Sequence, residues 1–104
     1  METIALTSIE MTYQQGTRQL TFTNADLFLV TDFGSVLWYV DANGIADADL
    51  LKWFNQSEDI RIELRVTSLD NRTFEGTAYF HPNEKHYAAA IRGEGELRLI
   101  NNEQ

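Results

Sequence analysis

The chain is 104 residues long, contains no cysteine and carries a formal net charge of −8. One domain, residues 1–104, fits this length, and the missing cysteines exclude disulfides, thiolate metal sites and thiol nucleophiles. The acidic charge argues against nucleic-acid and anionic-membrane partners, and we expect a cytoplasmic protein because the sequence shows neither a basic leader nor an apolar run near the roughly 18 residues of a membrane span.

The first predicted element is a β-hairpin in the stretch IEMTYQQGTRQLTF. Two β-prone runs flank a turn that contains a glycine, which is the usual pattern of a hairpin. The prediction closes this hairpin with residues 14–17. It therefore brings Met11 against Leu20 and Ile9 against Phe22.

The second predicted hairpin spans residues 27–40 and has apolar residues on both of its faces. Strand alternation puts one row on the first face: Leu27, Leu29, Trp38, Val40. It puts a second row on the opposite face: Phe28, Val30, Leu37, Tyr39. Strands that are apolar on both faces lie between two layers or form an interface. Because the rest of the chain can cover only one face fully, we expect the second row to form an interface.

A single short helix is predicted at about residues 47–56, between the fourth and fifth strands. Asp47 suits the N-cap position, and the apolar side chains that follow recur at helical spacing. The helix is expected to cover an open face or an end of the sheet.

The clearest strand is DIRIELRVTS, residues 59–68, in which apolar and polar residues alternate strictly. The next strand, TFEGTAYFH at residues 73–81, must meet it apolar face to apolar face. A three-residue turn, residues 69–71, satisfies this condition, since Asn71 tolerates a left-handed backbone. The predicted register therefore pairs Val66 with Phe74 and Arg65 with Glu75.

The same matching of apolar faces predicts two more turns in the last third of the chain. A four-residue loop, residues 82–85, would pair Phe80 with Tyr87, and a turn at Gly93–Gly95 would pair Ile91 with Leu97. On the outer face this register gives a row of alternating charge across four strands, and such cross-strand pairs stabilise a sheet. The predicted row is Arg65, Glu75, Arg92, Glu96.

The stretch FHPNEKH holds both histidines of the chain. In the predicted register His81 and His86 flank the loop directly, with Asp59 beside them and Glu84 above. Two imidazoles and two carboxylates are an acceptable ligand set for zinc. The group lies at a solvent edge, however, and structural zinc sites are normally closed by four ligands. We therefore expect an exposed pair of histidines and no physiological metal site or other cofactor.

Catalysis has no support in the sequence, because the serines form no nucleophile elbow and both histidines lie on one distant hairpin tip. We therefore predict no catalytic residue and no enzyme. The aromatic residues are more informative, since they supply more bulky surface than one face of a thin sheet hides. Four of them are candidates for lining a cavity that binds an apolar ligand: Trp38, Trp53, Phe80, Tyr87.

Taken together, these elements predict a mainly β domain with one short helix. Its six to eight antiparallel strands form a single barrel or a two-layer sandwich. The leading functional hypothesis is a small, acidic, non-enzymatic binding or assembly module that acts through contact with a protein partner, its own copy included. One alternative is a small β-barrel that binds an apolar small molecule. Another is an acidic inhibitor or nucleic-acid mimic of the kind that mobile elements encode.

Overall fold

The computed structural model describes residues 1–32 and 34–102. It contains seven strands, one α-helix and a short 3-10 helix. The strands are β1 (Glu2–Tyr13), β2 (Gly16–Gln19), β3 (Asn24–Asp32), β4 (Ser35–Asn43), β5 (Arg61–Ser68), β6 (Arg72–Asn83) and β7 (Ala88–Asn102). The α-helix α1 is Ala48–Gln56, and the 3-10 helix is Glu84–His86.

Six of the strands form a closed antiparallel barrel, in the order β1, β3, β4, β7, β6, β5 and back to β1. The strand β1 closes the ring because it pairs with β3 near its start and with β5 from Leu6 onwards, with a bulge between Leu6 and Ser8. The remaining strand, β2, pairs with the last part of β1 outside the ring. The prediction of a mainly β fold with one helix is confirmed, and the sheet closes as a barrel rather than as a sandwich.

The barrel interior is filled by the inward-facing residues of each strand. Alternation produces this core directly: on β5, Ile62, Leu64 and Val66 are buried, while Arg61, Glu63 and Arg65 are exposed. Each buried aliphatic side chain of this size contributes about 1.5–3 kcal/mol relative to full exposure. Other fully buried members are Ile9, Met11, Leu27, Val40, Ala78, Phe80 and Ile91.

The helix α1 closes one end of the barrel. Asp47 is its N-cap, and the Asp47 carboxylate accepts a hydrogen bond from the Leu50 backbone N–H at 3.0 Å. The helix buries Leu50, Leu51 and Phe54, and the Phe54 ring packs on Phe80 with 4.4 Å between centroids. The predicted helix, its cap and its covering role at an end of the sheet are confirmed.

The β5–β6 hairpin has the predicted register. Val66 pairs with Phe74 and Arg65 with Glu75, and Asn71 has a left-handed backbone with φ of 67°. Here the apolar pattern and a short turn act together, so that only one register satisfies both.

The first hairpin is predicted wrongly by two residues. Its turn consists of Gln14 and Gln15 alone, both with positive φ, so Met11 pairs with Arg18 rather than with Leu20. Two-residue turns with positive φ match the natural twist of paired strands. The glycine at position 16, which guided the prediction, belongs to β2 instead.

The register between β6 and β7 is also predicted wrongly. Phe80 pairs with Ile91, four residues beyond the predicted partner Tyr87, and the connection contains the 3-10 helix Glu84–His86. A shift by an even number of residues leaves every side chain on its original face, so alternation alone cannot detect it. Tyr87 ends the 3-10 helix in a left-handed conformation and is 55% exposed.

The predicted turn at Gly93–Gly95 does not exist, because β7 continues through it to Asn102. Gly93 instead pairs with Ala78 in the regular ladder, and Gly95 lies in an irregularity of β7, where the pairing with β6 moves from Thr77–Glu94 to Glu75–Arg98. Gly95 has a φ of +73°, which suits a glycine in a bulge. Leu97 therefore lies on the same strand as Ile91 and does not pair with it.

An alternating row of charges crosses the outer wall of the barrel; it contains the predicted Arg65 and Glu75, but Glu10 and Arg98 take the place of Arg92 and Glu96. Glu10 pairs with Arg65, Arg65 with Glu75, and Glu75 with Arg98. The Glu75 carboxylate forms ion pairs with both arginines, and the contact with Arg98 is 3.5 Å long. The predicted neighbour Arg92 pairs instead with Tyr39 and Tyr79.

Candidate functional site

The outer surface of the β3–β4 hairpin carries the apolar row that the sequence predicts. We call these four residues the β3–β4 outer face: Phe28, Val30, Leu37, Tyr39. Phe28 pairs with Tyr39 and Val30 with Leu37, so the hairpin register brings the row together. The Phe28 and Tyr39 rings stack at 4.8 Å and 17°. Leu37 is 58% exposed and the other three are half-buried, so the row lies on the surface and not in the barrel core.

The end of the barrel opposite α1 holds a second apolar feature, a pocket of about 620 Å³. We call it the open-end pocket. Its apolar walls include Leu29, Val36, Leu97 and Leu99, while Ser35 and Glu96 supply polar side chains. Leu37 lines this pocket and also belongs to the β3–β4 outer face. The two features therefore meet at Leu37.

Trp38 is the floor of the open-end pocket and is only 4% exposed. Its indole lies flat on the glycines of β6 and β7. A Cβ atom at Gly93 would come within 2.1 Å of the Trp38 ring, and one at Gly76 within 2.7 Å. The indole N–H donates to the Gly95 carbonyl oxygen at 3.0 Å. Because that donor is satisfied inside the fold, Trp38 presents only apolar atoms to the pocket.

The four aromatic residues proposed to line one cavity do not come together. Trp38 lines the open-end pocket. Phe80 is fully buried beneath α1, and Trp53 lies on α1 with its ring 5.3 Å from Tyr13. Tyr87 is exposed at the helix-covered end. The cavity prediction is therefore wrong for three of the four residues, because the β6–β7 register moves Tyr87 out of the barrel wall and α1 covers Phe80.

A sequence signal for the open-end pocket does exist, although part of it, Gly93–Gly95, is the pattern that predicts a turn. Gly76 lies on β6, and Gly93 and Gly95 lie on β7. Glycine inside a strand often marks a bulge or the close approach of another group. Here that group is an indole. A pattern of glycines on two neighbouring strands together with one tryptophan therefore predicts the floor of this pocket better than the number of aromatic residues in the chain does.

The histidines do not face each other. His81 pairs with Ala90, whereas His86 lies in the 3-10 helix. The predicted carboxylates have other partners: Glu84 accepts from the Asn55 side chain at 3.3 Å, and Asp59 accepts from the Arg61 backbone N–H at 3.1 Å. Among residues 1–32 and 34–102 no three histidine, cysteine or acidic side chains are grouped so that they could hold a metal ion. The predicted geometry of the pair is wrong because it depended on the β6–β7 register.

Comparison with protein-family models, with curated proteins and with solved structures gave no match. Within the part of the chain that the structure describes, α1 is too short to cross a lipid bilayer and no longer apolar helix occurs.

Proposed function

We propose that this protein is a non-enzymatic assembly module that self-associates through the β3–β4 outer face and the rim of the open-end pocket. The observation that carries the proposal is the uneven distribution of exposed apolar side chains. Eight large apolar residues are exposed in the described part of the chain. The strand pairing puts six of them at the open end, and only Trp53 and Tyr87 lie elsewhere. The six are Met1, Val36, Leu37, Leu69, Leu99 and Ile100.

A concentration of exposed apolar side chains at one end of the barrel is unfavourable in water. Soluble monomers rarely expose contiguous apolar patches larger than a few hundred Å², and larger ones usually mark an interaction site. A second copy of the chain offers the same apolar row, so a twofold arrangement covers both surfaces with one contact. Homodimers with twofold symmetry are the commonest closed assemblies of soluble proteins.

Charge opposes this contact. Each copy carries a net charge of −8, and Asp26 pairs with Asp41 next to Phe28 and Tyr39 on the same face of the hairpin. The attraction must therefore come from burial of Leu37 and its neighbours rather than from ion pairs. Screening by salt weakens repulsion between exposed charges. Self-association should consequently become stronger as salt is added.

The experiment is sedimentation equilibrium of the wild-type protein and three variants at micromolar concentration. Leu37→Glu and Leu37→Lys should both give folded monomers. The fold should tolerate either charge because Leu37 is 58% exposed in the single chain, whereas the dimer contact would remove that charge from water and so be destabilised. Tyr87→Glu is the matched control, since Tyr87 is 55% exposed at the opposite end of the barrel. It should remain a dimer.

Two results would contradict the proposal. One is a wild-type protein that sediments as a monomer at high micromolar concentration. The other is a Leu37→Lys variant that keeps the wild-type association state. Far-ultraviolet circular dichroism of each variant separates loss of association from loss of folding.

A second candidate function is the binding of an apolar small molecule in the open-end pocket. Its volume of about 620 Å³ lies within the usual range of ligand sites. Trp38 can report on occupancy once Trp53, the other tryptophan of the chain, is replaced. In a Trp53→Phe background, titration with a long-chain fatty acid should then change the Trp38 emission saturably. A monomeric protein that responds in this way favours the ligand over the dimer.

A further inference from the structure

The strand β2 has a free edge at the helix-covered end of the barrel, far from the proposed dimer surface. All four of its residues are exposed, and within the described chain β2 pairs with β1 alone. The Leu20 N–H donates a hydrogen bond to the Ile9 carbonyl oxygen at 2.8 Å. In an antiparallel ladder every second residue bonds to the neighbouring strand, so Arg18 and Gly16 also direct their backbone groups towards β1. The backbone groups of Thr17 and Gln19 therefore point away from β1.

A groove of about 790 Å³ runs between this free edge and α1. Tyr13 and Trp53 form its aromatic floor, with 5.3 Å between ring centroids, and Leu50 adds an aliphatic contact. Burial raises the pKa of the Tyr13 phenol above its usual value of 10, with the nearby Arg18 opposing this shift. The phenol is therefore neutral at physiological pH, and the floor accepts apolar side chains.

The helix side of the groove is negatively charged. Asp47 and Asp49 both line it, and within the described chain Asp49 forms no ion pair. The groove also shows how a cation is accommodated: the Arg18 guanidinium lies 3.3 Å from the Asp47 carboxylate and 6.0 Å from the centre of the Tyr13 ring. A carboxylate and an aromatic face together favour a guanidinium or an ammonium group.

We infer that the groove binds an extended, positively charged segment of another protein, which adds to β2 as a further strand. Unpaired strand edges bind extended segments through main-chain hydrogen bonds, while side-chain pockets next to the edge give specificity. The four residues of β2 span roughly 13 Å, which sets a short contact. The alternating side chains of the partner would place apolar groups on the aromatic floor and basic groups beside Asp49.

Charge favours a foreign partner over a second copy at this edge. The chain has twice as many acidic as basic residues, so a second copy would bring its own acidic groove wall towards the first. A basic segment is attracted by that wall and by the overall charge. Binding here should weaken as salt is added, which is the opposite of the salt dependence expected for self-association.

The test uses three short synthetic peptides with blocked ends and a fluorescent label, measured by anisotropy against the wild-type protein. The first alternates arginine and valine, the second alternates glutamate and valine, and the third is the arginine peptide with alternate backbone nitrogens methylated. Only the first should bind tightly. The third has the same charge but cannot form the hydrogen bonds of a strand, so its affinity should be lower by a factor of about ten or more.

Protein variants test the two walls of the groove separately. Gln19→Pro removes an outward-pointing N–H without disturbing the ladder to β1 and should weaken the arginine peptide about tenfold. Asp49→Lys should weaken it by a similar factor. Glu58→Lys, which makes the same change of charge outside the groove, should have a much smaller effect. Thermal melting of each variant verifies that the fold is retained.

Several outcomes would overturn the inference. Equal binding of the methylated and unmethylated peptides would show attraction by charge alone. No effect of Gln19→Pro, or equal effects of Asp49→Lys and Glu58→Lys, would place the peptide elsewhere. Loss of wild-type self-association in Gln19→Pro would mean that a second copy, and not a basic segment, occupies the edge.

Discussion

At one end of the barrel α1 packs Phe54 and Leu51 over the core, whereas at the other end the Trp38 indole lies across the strands. The helix-covered end buries Phe54 and Phe80 and leaves acidic groups on the surface beside Trp53 and Tyr87. The open end buries Trp38 and Phe74 and leaves exposed aliphatic side chains around its rim. One small barrel therefore presents two chemically different surfaces, an acidic groove beside a strand edge and an apolar patch.

The largest effect that tests this contrast should come from Phe54→Ala. Phe54 is 2% exposed and contacts Phe80 and Tyr13 at ring distances of 4.4 and 4.9 Å. Removing a buried phenylalanine typically costs about 3–5 kcal/mol. Leu99→Ala at the open end, where the side chain is 51% exposed, should cost only about 0.5 kcal/mol. Urea denaturation measures both, and equal losses would mean that the two ends are packed alike.

A smaller but still clear effect is expected from Gly93→Ala. The new methyl group would meet the Trp38 ring, since its Cβ would lie 2.1 Å from Cε2, and overpacking of this kind costs about 1–3 kcal/mol. In Gly95→Ala the new Cβ would have no atom within 4 Å. Its only penalty should be the left-handed backbone conformation, which lowers the stability by an amount at the low end of about 1–2 kcal/mol. In a double-mutant cycle, Trp38→Leu should relieve most of the penalty at Gly93. Strict additivity would show that the contact is unimportant.

In the outer wall between the two ends, Glu75→Arg should lower the free energy of unfolding by about 1 kcal/mol, because the change sets three positive charges side by side on β5, β6 and β7. The control is a charge reversal outside the row, Glu58→Arg, which should have almost no effect on the melting temperature. A reversal at Glu10 would not serve, since Glu10 pairs with Arg65 in the same row. Thermal melting at low salt would show similar shifts for both variants if the row were unimportant.

The turn after β5 should make stability depend on pH. The Ser68 hydroxyl and the Arg72 guanidinium donate hydrogen bonds to the Asp70 carboxylate and lower its pKa below the ordinary value of 3.8. A lowered folded-state pKa stabilises the fold above the unfolded-state value, and this contribution is lost as pH falls through the folded-state value. Asp70→Asn should therefore melt below the wild type at pH 7. The two melting curves should converge in strong acid, and a constant difference would contradict this assignment.

The smallest effect is expected at the histidines. His81 and His86 are both exposed and do not pair, so replacing both with asparagine should leave the melting temperature nearly unchanged at neutral pH. Adding a chelator should likewise leave the melting temperature unchanged, because we expect no structural metal, and only a metal that contributes to folding would lower the melting temperature when removed. A drop of several degrees with chelator would indicate a metal that binds at the helix-covered end.

Several features of the fold were determined by the sequence alone. The alternation in β5 identified the buried face, the Asp47 cap located the start of α1, and Asn71 allowed the three-residue turn that sets the β5–β6 register. The apolar row that includes Leu37 was also visible, because each of these signals lies within a few residues of the feature it predicts. Local patterns are sufficient where the turn is short and the face is unambiguous.

The tertiary structure alone decided the register of β6 and β7, the bulge at Gly95 and the free edge of β2. Alternation distinguishes the two faces of a strand but not two registers that differ by an even number of residues. The observed register places Gly76 and Gly93 under Trp38, and the indole binds to Gly95, which is 57 residues further along the chain. Only the packed barrel brings these residues together, because close packing of an indole against backbone is a property of neighbours in space.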